Sequence, residues 1–390
     1  MNRNQLALLV VVLLILGGAG LLLVKHNQES WSAPEGRLGQ KLFPNFQAND
    51  VAAIHIKGDA DVDLVRKNDT WKVQQRGDYP ANFSQIRDLL IKLGGLKIGQ
   101  SDDIGPSQYA RLHLEDPGKG AESATLLELK DNSGKPIQSL LVGKKHTHKS
   151  EREAPSPFGE EGFPDGRYVM LKSDTKTVLT ISDPLNTVDE KAPEWLNKDF
   201  FKVEKPRSIA FVSTNASNSW KLTRETESSP WVLADPKPGE MLDSNKVSSL
   251  ASSLTYPSFV DVATNPMMEH PLQVAIDTFD HFTYAMKVGA KTPENDYDFS
   301  VAVSATLPAE RAPGKDEKPD DKKKLDKEFA DKLKASQDRL AQEQSLANWT
   351  YVVNGWLVDP LIRDRAQLLV EKKEPATNAV TQLAPPPAQK

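Results

Sequence analysis

The amino-acid sequence predicts an α+β protein: an N-terminal transmembrane helix followed by two duplicated, strand-rich α+β units with one main helix each. Three observations carry this reading. Residues 6–24 run from Leu6 to Val24 as 19 consecutive positions without a charge. A pattern of short alternating segments, a tryptophan, a turn and an amphipathic helix occupies residues 51–98 and recurs over residues 209–254. The helical positions Ile86 and Val247, Leu89 and Leu250, and Leu93 and Leu254 are each 161 apart.

The apolar stretch comes close to the roughly 20 residues that a helix needs to cross a bilayer core. A cleaved signal peptide is the rival, but its apolar region is shorter and ends at small residues. Here Leu21-Leu22-Leu23-Val24 follows the only small cluster, Gly17-Gly18-Ala19-Gly20, so an uncleaved anchor over residues 1–24 is expected. Arg3 and the α-amino group outweigh Lys25, which places the N-terminus in the cytoplasm and the bulk outside it. Residues 25–41 are polar with Pro34, Gly36 and Gly39, a tether between membrane and folded domain.

The first unit is expected over residues 42–204. Ile54 and Ile56, then Val62 and Leu64, then Trp71 and Val73 alternate with polar neighbours as half-buried strands do. Asn82 precedes a helix carrying Ile86, Leu89, Leu90 and Leu93, and Gln85 completes a capping-box pattern. Gly94-Gly95 ends the helix. The second unit, residues 205–370, repeats this with Ile209 and Phe211, Leu222, Trp231 and Leu233, then Asp243 before Val247, Leu250, Ala251 and Leu254. Trp71 and Trp231, at one place in a repeated strand, are expected to be core residues.

Further landmarks match in order: Val142-Gly143-Lys144-Lys145 with Val288-Gly289-Ala290-Lys291, Tyr168-Val169 with Tyr351-Val352, and Asp183-Pro184-Leu185 with Asp359-Pro360-Leu361. Gly143 to Tyr168 is 25 positions and Gly289 to Tyr351 is 62, so the second copy holds 37 extra residues there. The insertion, about residues 308–348, is charged and helical in pattern, with Leu325, Phe329, Leu333 and Leu340 on a narrow stripe. Asp320-Lys324 and Glu328-Lys332 are favourable i,i+4 pairs. Such a helix is either a solvated arm or one that docks a partner by its Leu/Phe stripe. Residues 371–390 end in Ala384-Pro385-Pro386-Pro387, a composition expected to be disordered.

Composition excludes several classes of function. Net charge is −5, against the basic face of a nucleic-acid binder. Cysteine is absent, which removes disulfides, thiolate metal sites and a cysteine nucleophile. No phosphate-binding Gly-rich loop, G-x-S-x-G or H-E-x-x-H motif occurs. His146 and His148 beside Glu151 and Glu153 sit in a Lys/Ser/Pro-rich polar loop, so no metal and no cofactor is expected. Asp102-Asp103 and Glu160-Glu161 are adjacent pairs whose side chains diverge, and they read as surface charge.

Leu42-Phe43-Pro44, Val51-x-x-Ile54-x-Ile56, Trp71, and Tyr79-Pro80-Ala81-Asn82 opening a helix that ends Leu89-Leu90-x-x-Leu93 together resemble the bacterial domain-of-unknown-function family 4340. Tyr168-Val169 and Asp183-Pro184-Leu185 fit the same pattern. The resemblance implies a single-pass protein of the bacterial inner membrane, of a kind often encoded beside gliding-motility-type ABC transporter subunits, with no catalytic residues to carry over. The expected function is therefore a non-enzymatic, extracytoplasmic accessory or interaction protein. Its expected partners are an envelope or ABC-type transporter membrane protein and, through the N-terminal helix, the lipid bilayer. A cell-wall polymer or glycan-binding module using Tyr256, Phe259 and Tyr297 is the alternative, and a hydrolase ranks below both.

Overall fold

A computed structural model describes residues 37–148, 163–313 and 317–371. The chain forms two compact units, Met1–Lys198 and Asp199–Lys390. The first contains β1 (Ala53–Lys57), β2 (Asp61–Lys67), β3 (Thr70–Val73), β4 (Tyr79–Pro80), helix α1 (Phe83–Gly95), β5 (Ile98–Asp103), β6 (Thr125–Lys130), β7 (Pro136–His148), β8 (Phe163–Leu171) and β9 (Asp174–Ile181). These strands make one antiparallel sheet in the order β4-β3-β2-β1-β6-β7-β8-β9-β5.

The period-2 pattern sets which side of this sheet is buried. Ile54 pairs with Leu64 on one side and Leu129 on the other, and Ile56 with Val62 and Leu127; all six are buried. The β2–β3 turn places Asn68 and Asp69 at φ of 48° and 61°, a left-handed conformation that these short polar side chains tolerate. Helix α1 then leads from β4 at one edge of the sheet to β5 at the other, with Ile86, Leu89, Leu90 and Leu93 buried. The Asn82 side chain accepts from the Gln85 N–H, as an N-cap should. The opposite face carries a smaller core of Leu114, Ala124, Leu141, Met170 and Val178, closed by the loop between β5 and β6.

The second unit contains β10 (Pro206–Val212), β11 (Trp220–Thr223), β12 (Val232–Leu233), helix α2 (Ser244–Ser253), β13 (Asp261–Val262), β14 (Leu272–Thr278), β15 (Phe282–Lys291), β16 (Asp296–Ala305), helix α3 (Pro319–Gln344), β17 (Tyr351–Asn354) and the short helix α4 (Gly355–Val358). Its sheet order is β12-β11-β10-β14-β15-β16-β17-β13. With β4 left out, the two orders correspond strand for strand, and the whole is an α+β fold with two antiparallel sheets.

The registers correspond as well. Ile209 pairs with Leu222 and Ile276 as Ile54 pairs with Leu64 and Leu129. The Val-Gly-x-Lys landmark is a register irregularity in both copies: pairing shifts between Val142 and Lys145 and between Val288 and Lys291. At these shifts a Cβ on Gly143 would lie 2.5 Å from the Leu112 carbonyl oxygen, and one on Gly289 would lie 2.5 Å from that of Met267. Glycine is needed at both for close backbone approach. The helix entries match too. Asn82 N–H donates to Trp195 O at 2.7 Å, and Asp243 N–H to Leu368 O at 2.9 Å.

Two expectations from the repeat are corrected. Val169 pairs with Leu179, and the corresponding pair is Phe299 with Tyr351. Tyr351 is thus the counterpart of Leu179, while Tyr168 corresponds to Asp298; both tyrosines are strand residues followed by Val, but of different strands. The insertion accordingly lies between β16 and β17, where residues 306–350 replace the two-residue β8–β9 turn of residues 172–173. The second correction concerns the tryptophans. Trp71 is core at 5% exposure, but Trp231 is half-buried beneath the Arg224 guanidinium, 4.7 Å from its ring centroid. Trp71 lies in a strand paired on both sides, whereas β12 is a two-residue sheet edge.

The expected anchor (residues 1–24), most of the tether (25–36), Glu151, Glu153, Glu160 and Glu161, and the tail beyond Glu371 lie outside the described residues. Among the described residues, no helix is long and apolar enough to cross a membrane. Residues 39–42 pair along Leu96–Ile98, with Gly39 N–H on Ile98 O and Leu42 N–H on Leu96 O, both at 2.8 Å.

Candidate interaction site under the inserted helix

The feature that distinguishes the second unit is α3. Pro319 occupies its first turn with Asp320 and Asp321 beside it, where a fixed φ and negative charge both suit a helix N-terminus. Arg311 ties this end down. Its Nη2 is 2.7 Å from Glu317 Oε2 and its Nε 2.9 Å from Asp326 Oδ1, and these two bonds hold the guanidinium pKa above its ordinary value.

The other end is fixed by a buried polar network. Glu343 is 4% exposed, a carboxylate that must be compensated. Its Oε1 accepts from Arg339 Nε and from the Lys202 N–H, each at 3.1 Å. Its Oε2 accepts from the Tyr284 hydroxyl at 3.0 Å. Arg339 also reaches Glu204 Oε2 at 3.0 Å, the Lys202 carbonyl and the Tyr284 oxygen, and its guanidinium stacks 4.6 Å from the Phe282 ring centroid. Burial, then the Glu343 charge, pushes the Tyr284 phenol above its ordinary value, so it remains a protonated donor.

Between these ends α3 stands over a cleft of about 540 Å³. Phe279, Phe282, Leu307 and Pro308 line one side and Phe329, Leu333, Ala335 and Arg339 the other. Ion pairs rim it: Lys205 with Asp280 at 3.2 Å and Arg339 with Glu204 at 3.0 Å. An apolar trough with a few fixed charges suits a side chain or short amphipathic segment.

The structure divides the Leu/Phe stripe. Phe329 and Leu333 line the cleft, Leu340 is half-buried, and Leu325 is 40% exposed. The i,i+4 ion pair seen in the first half of α3 is Lys324–Glu328, at 4.0 Å. Sequence reasoning did not find Arg339, Glu343, Tyr284 or Glu204. The one local sign was Arg339-Glu343 at i,i+4 interrupting the apolar stripe.

Elsewhere, His146 Nδ1 contacts Asp165 Oδ1 at 2.6 Å, and His55 Nδ1 contacts Asp63 Oδ1 at 2.8 Å. Among the described residues, no group of three His, Asp or Glu side chains is placed to hold a metal ion. Asp102 and Asp103 are exposed on β5. Of the three aromatics considered for a glycan surface, Phe259 and Tyr297 are core residues at 5% exposure and Tyr256 is 80% exposed. The Tyr297 hydroxyl donates to Asp359, in the second Asp-Pro-Leu segment. Its counterpart Arg167 donates to Pro184 O at 3.1 Å in the first.

These observations define a two-unit α+β protein with an inserted helical arm. The family model of the Domain of unknown function (DUF4340) matches residues 158–273, which bears out the resemblance read from the sequence over this part of the chain. The match includes Tyr168-Val169 and Asp183-Pro184-Leu185, crosses the boundary between the units, and begins after the Leu42-to-Leu93 motifs. No curated protein and no solved structure matches the chain.

Proposed function

We propose that this protein is a membrane-anchored, extracytoplasmic interaction module, non-catalytic, that serves an ABC-type transport or envelope system. The observation that supports this reading is α3 with its cleft. One of two otherwise corresponding units has 45 residues in place of a two-residue turn (residues 306–350 against 172–173). A long arm fixed at both ends over an apolar trough is suited to receiving a partner segment. The apolar residues 6–24 supply the anchor, N-terminus inside and bulk outside, and the family resemblance supplies the envelope setting.

The test is a detergent pull-down of the tagged full-length protein, of a version lacking residues 1–24, and of Phe329→Asp/Leu333→Asp in the full chain. An ABC-type membrane subunit recovered with the first two and lost with the third supports docking at the cleft. Recovery only when residues 1–24 are present moves the contact to the bilayer. Recovery with none of them rejects the reading.

A further inference from the structure

The two units provide an internal control for helix α1. Positions 83, 87 and 91 of α1 correspond at the 161-residue offset to 244, 248 and 252 of α2. In α2 these outward positions are Ser244, Ser248 and Ser252, all exposed. In α1 they are Phe83, Arg87 and Ile91, with Phe83 60% and Ile91 63% exposed. Both helices bury their other face in the same way, so the fold does not require apolar residues here. Two large apolar side chains on a solvent face that the same fold builds from serine point to a surface that something covers.

The chain's own course indicates what covers it. Residues 39–42 pair with Leu96–Ile98, immediately beyond the C-terminal end of α1, so the polypeptide enters the unit beside this helix. Residues 25–38 separate Gly39 from Val24, the end of the uncharged apolar stretch; fully extended, these 14 residues span about 48 Å. Leu38, at this entry, is also exposed at 46%. Residues 38–46 and 83–98 carry Lys41, Arg87, Lys92 and Lys97 against Asp88 alone, in a chain of net charge −5. Asp88 pairs with Arg87 at 2.9 Å, and Asp183 approaches Lys92 at 3.6 Å.

We infer that the outward face of α1 docks on the membrane surface, with Phe83 and Ile91 entering the headgroup boundary and the flanking basic side chains meeting anionic lipid. An apolar pair among cations is the pattern of an interfacial helix, and a short tether raises the local concentration of that face at the bilayer. This rests on the anchor reading of residues 6–24.

Because the chain has no cysteine, the test needs no background removal. Full-length Phe83→Cys, Ile91→Cys and, as control, Ser248→Cys are labelled with an environment-sensitive fluorophore. They are reconstituted in phosphatidylcholine–phosphatidylglycerol vesicles containing a lipid with a shallow quencher. Labels at 83 and 91 are expected to lose roughly half their fluorescence and the label at 248 to be unaffected. A Ser84→Cys label should lose its quenching when Phe83→Ser and Ile91→Ser are added. If the chain floats with the vesicles but 83 and 91 are quenched no more than 248, the inference is overturned and the anchor stands. Disulfide-linked pairs of unlabelled Phe83→Cys chains, with no quenching of the labelled ones, would make the face a dimer contact and also overturn it. A chain that does not float loses the anchor reading and this inference together.

Discussion

Replacing Arg339 by alanine is the sharpest probe of the second unit. The substitution strips Glu343 of its Nε bond and leaves the carboxylate, 6% exposed as a side chain, facing the Lys202 N–H and the Tyr284 hydroxyl. Removing one partner of a buried ion pair costs about 3–5 kcal/mol, because the remaining charge is uncompensated. Arg339 is 24% exposed and water can enter from the cleft, so the lower end, about 3 kcal/mol, applies. For a unit of this size that corresponds to roughly 6–12 °C in its melting midpoint. Differential scanning calorimetry and urea unfolding should show the loss in the transition of residues 199–371, with that of residues 37–198 unmoved. The physics makes a second demand: Arg339→Met/Glu343→Met should cost less than Arg339→Ala alone, since it removes both the charge and its need for a partner. An Arg339→Ala cost within about 0.5 kcal/mol, or a double variant costing the sum of its parts, would refute the network as described.

Three further outcomes follow from the same geometry. Glu240 accepts from Arg365 Nε at 3.0 Å and Nη2 at 2.7 Å; the Arg365 bond first, then the Lys237 N–H, holds its pKa at about 2. A depressed carboxylate stabilises the fold fully above its unfolded pKa of about 4.3 and loses that contribution as pH falls from there through about 2. Glu240→Gln should therefore flatten the acid limb of stability against pH, and an unchanged limb would reject the assignment. Gly289→Ala should destabilise the second unit and Gly143→Ala the first, each by roughly 1–3 kcal/mol through overpacking against a carbonyl oxygen, read as separate shifts of the two melting transitions. Asp243→Ala removes the side chain that accepts from Asn245 and Lys246 N–H at the start of α2, and should cost about 1 kcal/mol in urea denaturation.

What the sequence made legible was whatever depends on a short window. The helices at Phe83–Gly95 and Ser244–Ser253 carried their own apolar period and capping residues, and their starts at Asn82 and Asp243 followed from these. Strand parity was legible because Ile54, Ile56, Val62 and Leu64 alternate. Strand identity was not. Tyr168 and Tyr351 look alike locally because period 2 reports which face a residue takes and nothing about which strand it belongs to. Only pairing separates them, with Tyr351 opposite Phe299 and Leu179 opposite Val169. The cleft was hidden for a related reason: Lys202, Tyr284, Arg339 and Glu343 are ordinary residues where each stands, and they meet only after β15 and α3 are in place.

The same limit explains why the two copies are most informative where they disagree. Shared features, such as the shifts at Gly143 and Gly289 and the caps bonded to Trp195 O and Leu368 O, are what this fold needs in order to form. A feature in one copy alone is free of that demand, since the other folds without it. Two such features stand out: the arm between β16 and β17, and the Phe83–Ile91 face where the second copy has serine. The arm carries a buried Arg339–Glu343 pair, which contributes little net stability against an apolar equivalent; its effect is to hold α3 in one orientation over the cleft. The α1 face leaves apolar surface in water, which folding alone does not favour. Neither departure is repaid within its own unit, and that is the physical reason to look for its use in contacts beyond the chain.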